Sequence, residues 1–295
     1  MPTLRTLLIV LCLLIIARAD APPVQTDRWV TPQLKPNPLL AHHTFRSDAM
    51  NLDVGYNLYL PPDYEGNKDK RYPVLYWLHG MNQSESTDQY PIGYLDDAIK
   101  RNQIRPMIVV YASGGQRTYY TDSPAARSLP ETAIIKELIP HIDATYRTIA
   151  DRDHRAIAGM SMGGFGALKF AFKYPGQFSS VTAFAPAIRD PESFAKDRPD
   201  ILRRMFANDP AAYQANHPAT LLKEHLDQIR GHLPISLYVG NKDYLLTGVR
   251  DLHRLLTELK VDHTYQEFDG IEHNLVKLSG QTRLAPFELA ARNFK

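Results

Sequence analysis

The chain has 295 residues, 44% hydrophobic and 22% charged, with a formal net charge of +2. This is ordinary globular composition, long enough to bury a full core, and it excludes a disordered or collagen-like chain. Charge this balanced, with no lysine- or arginine-rich stripe, argues against a nucleic-acid partner.

Arg5 precedes an apolar run from Leu7 to Ala17 that ends in Ala17-Arg18-Ala19. A basic start, a short apolar stretch and an A-x-A site describe a signal peptide over residues 1–19, so the expected location is secreted or periplasmic. The run is shorter than a bilayer span requires and no later segment approaches eighteen apolar residues, so no stable membrane insertion is expected after cleavage. Cleavage would remove Arg5, Arg18 and the single cysteine, Cys12, leaving a formally neutral chain that relies on its core rather than on disulfides. Residues 20–43 are rich in proline (Pro22, Pro23, Pro32, Pro36, Pro38) and read as an extended leader. No linker divides residues 44–295, which read as one domain; its oligomeric state has no signal in the sequence.

Apolar alternation through Leu52, Val54, Tyr56, Leu58 and Leu60 predicts a half-buried antiparallel strand. The continuous apolar runs at 72–78, 107–111, 181–185 and 235–239 predict strands covered on both faces. Between them, helical periods are read at 94–101, 131–146, 245–259 and 283–294, the second interrupted by Pro140. A last strand is read at 263–268. Strands alternating with helices at this spacing indicate an α/β fold with a mostly parallel sheet and helices on both faces. Residues 190–233 break the rhythm and are read either as an insertion over the sheet edge that contributes to a substrate pocket or as a purely structural helical excursion.

The stretch Gly159-Met160-Ser161-Met162-Gly163 lies between an apolar strand and a helix. Gly-x-Ser-x-Gly in that setting is a nucleophile elbow, a strained turn that lifts a serine hydroxyl above the end of a parallel sheet. A serine hydroxyl is a weak nucleophile at neutral pH, so it needs a base and a carboxylate that orients the base. In this architecture both follow the serine, acid before histidine. Asp243 lies just past the buried strand at 235–239, and His273 lies in the loop after the last strand, which makes them the candidate acid and base. The oxyanion needs two backbone donors: Met162 N–H follows the nucleophile, and Met81 N–H lies in the His79-Gly80-Met81 turn that ends an earlier strand. Tyr119, Tyr120 and Asp122, in the polar loop after residues 107–111, are the candidate substrate contacts. No zinc-protease motif, cysteine pair, P-loop or Rossmann glycine pattern is present, and no cofactor or metal is expected.

Several stretches together resemble the putative-esterase branch of the α/β-hydrolase superfamily. They are Leu78-His79-Gly80, Tyr120-Thr121-Asp122-Ser123, Glu137-Leu138-Ile139-Pro140, the elbow continued through Gly164-Phe165-Gly166-Ala167-Leu168, and Gly240-Asn241-Lys242-Asp243. That branch holds feruloyl and acetyl-xylan esterases, S-formylglutathione hydrolases and mycolyltransferases. The resemblance covers about residues 44–294 and implies an α/β-hydrolase fold, a Ser161, Asp243 and His273 triad, Met81 and Met162 oxyanion amides, and no cofactor. Two positions depart from the pattern: Leu275 and Leu278 stand where feruloyl esterases often carry aromatics, and Met81-Asn82-Gln83 replaces a glycine-rich loop.

The expected activity is that of an exported serine carboxylesterase acting on a small-molecule or polysaccharide-linked ester, with feruloyl and acetyl esters of plant polysaccharide as candidates. The alternative is an acyltransferase that uses the same triad with a sugar or lipid alcohol acceptor. A non-catalytic binding relative is the third reading.

Overall fold

The computed structural model describes residues 27–33 and 36–295. The expected signal peptide at 1–19 and the start of the leader lie outside the described residues. Among the described residues no helix is long and apolar enough to cross a membrane.

Eight strands form one sheet in the order β1-β2-β4-β3-β5-β6-β7-β8. β1 (Ala41–Ser47) and β2 (Leu52–Tyr59) form an antiparallel pair, and β2 is antiparallel to β4 (Ile108–Ala112). From β4 onward, through β3 (Val74–Leu78), β5 (Arg155–Met160), β6 (Ser180–Phe184), β7 (Ile235–Gly240) and β8 (His263–Phe268), every pairing is parallel. Every residue of β3 to β7 is buried, so both faces of the central sheet are covered, as their unbroken apolar runs require. The outer strand β8 instead alternates between exposed and half-buried residues.

The leader meets the domain earlier than its composition suggests. β1 begins at Ala41, and Trp29 is buried while its carbonyl accepts from Gly55 N–H at 2.7 Å. Asp27 pairs with Arg204 at 2.8 Å.

α1 (Gly93–Lys100) leads to β4. The expected break at Pro140 takes the form of a change of helix type. α2 (Pro130–Thr132) runs into a π-helical segment, Ala133–Leu138, and then into α3 (Ile139–Thr145), with Pro140 in its first turn. Proline has no N–H to donate, and the wider π turn takes up the irregularity at the position where that bond is missing. α4 (Met162–Lys173) follows the elbow and is buried along nearly its whole length.

The 190–233 region is a run of five short helices: α5 (Pro191–Asp197), α6 (Pro199–Met205), α7 (Pro210–Ala215), α8 (Pro218–Glu224) and α9 (Leu226–Ile229). Four of them start with proline, whose fixed φ and missing N–H suit a first helical position. Asp190, Asp209 and His217 each accept a backbone N–H as caps. α10 (Leu246–Glu258) connects β7 to β8, and α11 (Leu275–Thr282) and α12 (Ala285–Asn293) close the chain. α11 covers a stretch that sequence periodicity left as loop.

Candidate active site

Parallel register brings the ends of four strands to one edge of the sheet. Leu78 of β3 lies opposite Gly159 of β5, and Gly240 of β7 lies opposite Phe268 of β8. The loops that follow carry His79-Gly80-Met81, Ser161, Asp243 and His273, so side chains far apart in sequence converge at the carboxyl edge.

Ser161 sits at φ 57° and ψ −116°, outside the regions that L-residues ordinarily occupy. Its neighbours hold it there. Ser161 N–H donates to the Phe184 carbonyl at 2.8 Å, and its own carbonyl accepts from Phe165 and Ala187, each at 2.9 Å. The two elbow glycines are there for contact. A Cβ on Gly163 would lie 1.9 Å from the Leu78 carbonyl oxygen, and one on Gly159 would lie 2.5 Å from the Gly163 backbone. Strand and helix can therefore approach this closely only with glycine at both positions.

His273 Nε2 lies 2.9 Å from Ser161 Oγ, and His273 Nδ1 lies 2.8 Å from Asp243 Oδ2. Asp243 is buried, and its second oxygen accepts from Leu245 N–H at 2.8 Å, which fixes the carboxylate plane. With Asp243 accepting from Nδ1–H, Nε2 is left as the acceptor facing the serine hydroxyl.

Gln83 N–H donates to the Gly80 carbonyl at 3.2 Å, closing a tight turn over Gly80-Met81-Asn82-Gln83. Asn82 has φ 61°, so asparagine fills the left-handed position for which a glycine-rich loop would use glycine. The turn leaves Met81 N–H outside its own hydrogen bond, and Met162 N–H is an orphan of the first turn of α4. Among the described residues neither meets an acceptor.

Two buried side chains, His79 and Asp88, whose roles the sequence pattern does not reveal, clamp this turn. His79 donates from Nδ1 to the Gly80 carbonyl at 2.9 Å, and its Nε2 accepts from Gly114 N–H at 3.1 Å, a pattern that requires the neutral ring. Burial pushes its pKa down to about 4, consistent with that form. Asp88 accepts Gly80 N–H on Oδ2, and burial pushes its carboxyl up to about 6, opposed by that hydrogen bond and by His273 nearby. The Asp88 main-chain carbonyl is itself held by Trp77 Nε1–H at 2.8 Å.

The three expected substrate contacts require correction. Tyr120 is fully buried. Its ring fills the space left by Gly114 and Gly166, where added Cβ atoms would lie 2.1 and 2.5 Å from ring carbons, and its hydroxyl donates to the His79 carbonyl at 3.0 Å. Tyr119 is also buried, edge-on to Phe165 at 5.2 Å and to Phe194 at 5.0 Å, where it joins the helical insertion to α4. Asp122 caps α2, accepting Glu131 N–H at 2.9 Å and the Thr132 hydroxyl at 2.7 Å. These side chains brace the site and do not line it. A tyrosine-rich polar loop gives no sequence signal of such burial.

Beneath the loop, Lys169 of α4 is fully buried and donates to the Tyr120 carbonyl at 2.7 Å and to Thr121 Oγ1 at 2.8 Å. It pairs with Glu131 at 2.7 Å, as Lys173 does at 2.6 Å. Burial alone would raise the Glu131 pKa, but the two lysines and Tyr174 outweigh it and hold the carboxyl at about 2. Among the described residues no group of three or more histidine, cysteine, aspartate or glutamate side chains is arranged to hold a metal ion.

The fold has counterparts in known proteins. A family described as "Putative esterase" matches residues 47–277. An esterase of Mycobacterium tuberculosis is 37% identical over 150 residues, which span 50% of this chain and 32% of that relative. Among solved structures, a ferulic acid esterase superposes with TM-score 0.74 at 25% identity, covering 87% of this chain and 98% of that one. An S-formylglutathione hydrolase from Agrobacterium tumefaciens superposes with TM-score 0.71 at 20% identity, covering 87% and 95%. With a family match across most of its length and this mostly parallel sheet, the chain belongs to the putative esterase family and has the α/β-hydrolase fold.

Proposed function

We propose that the chain is an exported serine carboxylesterase in which Ser161, His273 and Asp243 act as a triad. The observation that carries this reading is the continuous hydrogen-bonded line from Ser161 Oγ through both ring nitrogens of His273 to Asp243, set on a strained elbow. Ser161 Oγ attacks the ester carbonyl while His273 Nε2 takes its proton. Asp243 holds the Nδ1–H tautomer and stabilises the imidazolium that forms. Met81 and Met162 N–H, both without acceptors among the described residues, receive the oxyanion. His273 then passes the proton to the leaving alcohol, and water releases the acyl group by the same steps in reverse roles. Likeness to a ferulic acid esterase supports feruloyl esters as candidate substrates. Export rests on the pattern of residues 1–19 and is tested by sequencing the mature N-terminus.

Ser161→Ala is expected to lower kcat on p-nitrophenyl acetate by about 10⁴-fold or more. The same substitution should abolish labelling by a fluorophosphonate while leaving the circular dichroism spectrum unchanged. Wild-type-like turnover by this variant would overturn the assignment.

A further inference from the structure

Among the described residues two large hydrophobic side chains stand exposed, Tyr244 at 59% and Val276 at 79%. Both flank the proposed triad: Tyr244 follows Asp243, and Val276 comes three residues after His273. The Tyr244 ring lies 4.8 Å from the His273 ring, inclined at 51°. The Arg189 guanidinium lies 5.6 Å from the Tyr244 ring centroid. Arg198, between α5 and α6, acts electrostatically on both Tyr244 and Tyr119. An aromatic ring beside the base and two guanidinium groups thus share one rim of the site.

The charges on this rim are not balanced. Arg189 is paired with Asp197 at 2.7 Å. Glu272, in the His273 loop, is paired with Lys277 at 2.7 Å. Arg198 has no carboxylate within ion-pairing distance among the described residues. Its NH1 donates to the Asp197 main-chain carbonyl at 2.8 Å, and the Tyr119 hydroxyl lies beside its guanidinium. Arginine keeps its charge at any accessible pH, so this cation is left without an ionic partner among the described residues. An anion brought by the substrate would supply one.

We infer that Tyr244, Arg189 and Arg198 form a subsite for the alcohol portion of the substrate, and that it selects esters whose leaving alcohol carries an anionic group on a flat or apolar frame. The leaving alcohol is the part placed here because His273, which delivers the proton to that oxygen, is the residue Tyr244 lies against. Tyr244 covers the frame, and Arg198, with Arg189 beside the ring, receives the anion. The inference rests on the esterase reading above and adds the substrate class.

The test compares two acetate esters of similar size, 3-acetoxybenzoate and 3-acetoxybenzamide, which differ in the charge on the alcohol portion. Wild-type enzyme is expected to show a lower KM for the carboxylate, with a preference that shrinks as sodium chloride rises from 20 to 500 mM, because exposed charge attraction is screened. Arg198→Gln is expected to reduce the ratio of the two kcat/KM values by about 10-fold, the loss of one charge-assisted contact, and Arg198→Lys to restore part of it. A wild-type preference for the amide, or a ratio insensitive to both salt and Arg198→Gln, overturns the inference. The salt arm needs no variant, so a misfolded Arg198→Gln cannot leave the question open. Calorimetric titration of Ser161→Ala with 3-hydroxybenzoate and 3-hydroxybenzamide separates the two readings. Selective binding of the carboxylate without wild-type hydrolysis of either ester would retain the subsite and reject the esterase. Hydrolysis of both with no selective binding would do the reverse.

Discussion

The turn that holds Ser161 and the rim that surrounds it are built on opposite principles. At the turn, each position is fixed by several contacts: two glycines in backbone contact, Tyr120 wedged between two more, and His79 and Asp88 gripping the two sides of Gly80. At the rim, short helices enclose a cluster in which Phe194 stacks on Tyr213 at 3.8 Å, while Tyr244 and Val276 stand in the open. The difference teaches where variation is tolerated. The frame around the serine has no room for a methyl group, whereas the exposed rim side chains have few neighbours to constrain them.

The sharpest way to break this contrast is at Gly163. A Cβ there would lie 1.9 Å from a main-chain oxygen, so Gly163→Ala should abolish activity or folding. Soluble expression, fluorophosphonate labelling and a thermal melt distinguish these outcomes, and a variant within twofold of wild type would show that the frame yields. Next in size is Glu131→Gln, which leaves the buried Lys169 charge uncompensated and should cost about 3–5 kcal/mol in denaturant unfolding. Wild-type stability for this variant would mean that Lys169 is supported by its two oxygen acceptors alone. The Glu131 carboxyl is held below its unfolded range, so its stabilisation is present above pH 4.5 and is lost as pH falls toward about 2.

Smaller effects are expected at Asp88. Asp88→Ala removes the grip on Gly80 N–H and should lower kcat by about 10²-fold, approaching the loss of one oxyanion donor. Asp88→Asn keeps an acceptor and should lose less, so equal losses in the two variants would argue that the charge beside His273 matters and the grip does not.

The pH dependence gives a second reading of the same residue. The folded Asp88 carboxyl is raised from 3.8 to about 6, so the folded chain gains stability relative to the unfolded one as pH falls through that window. His79 is lowered from 6.5 to about 4, so it removes stability over nearly the same range. The two oppose each other in the wild type. Asp88→Asn should therefore show a steeper fall in Tm between pH 6 and 4 than wild type, and parallel curves would reject the compensation.

Much of the frame was legible in the chain because it depends on local rules. Buried strands are unbroken apolar runs, and the elbow spacing follows from one backbone contact. Ser161, Asp243 and His273 were found by asking which residues follow strand ends in the required order, and the structure brings those three side chains together. Their roles are tested by the experiments above. Asp88 was not found, because an aspartate in a polar run looks the same whether it is exposed or turned inward under a glycine. Tyr120 was placed on the substrate for the related reason that a polar loop conceals how deeply one of its rings is buried. β1 was missed in part because its proline-rich approach masks the strand that follows. The starts of three of the five insertion helices are visible in principle: Asp190-Pro191, Asp209-Pro210 and His217-Pro218 each place a cap before a proline.

Those proline starts have a consequence for how the molecule can be altered. Because α5, α6, α7 and α8 each begin with proline at the first position, each of these four helices carries its own start signal in the chain. The starts are set locally but the packing is shared: Phe194 of α5 stacks on Tyr213 of α7, and Phe206 meets both rings edge-on. Any exchange of segments between relatives would therefore have to take α5 to α7 as one block.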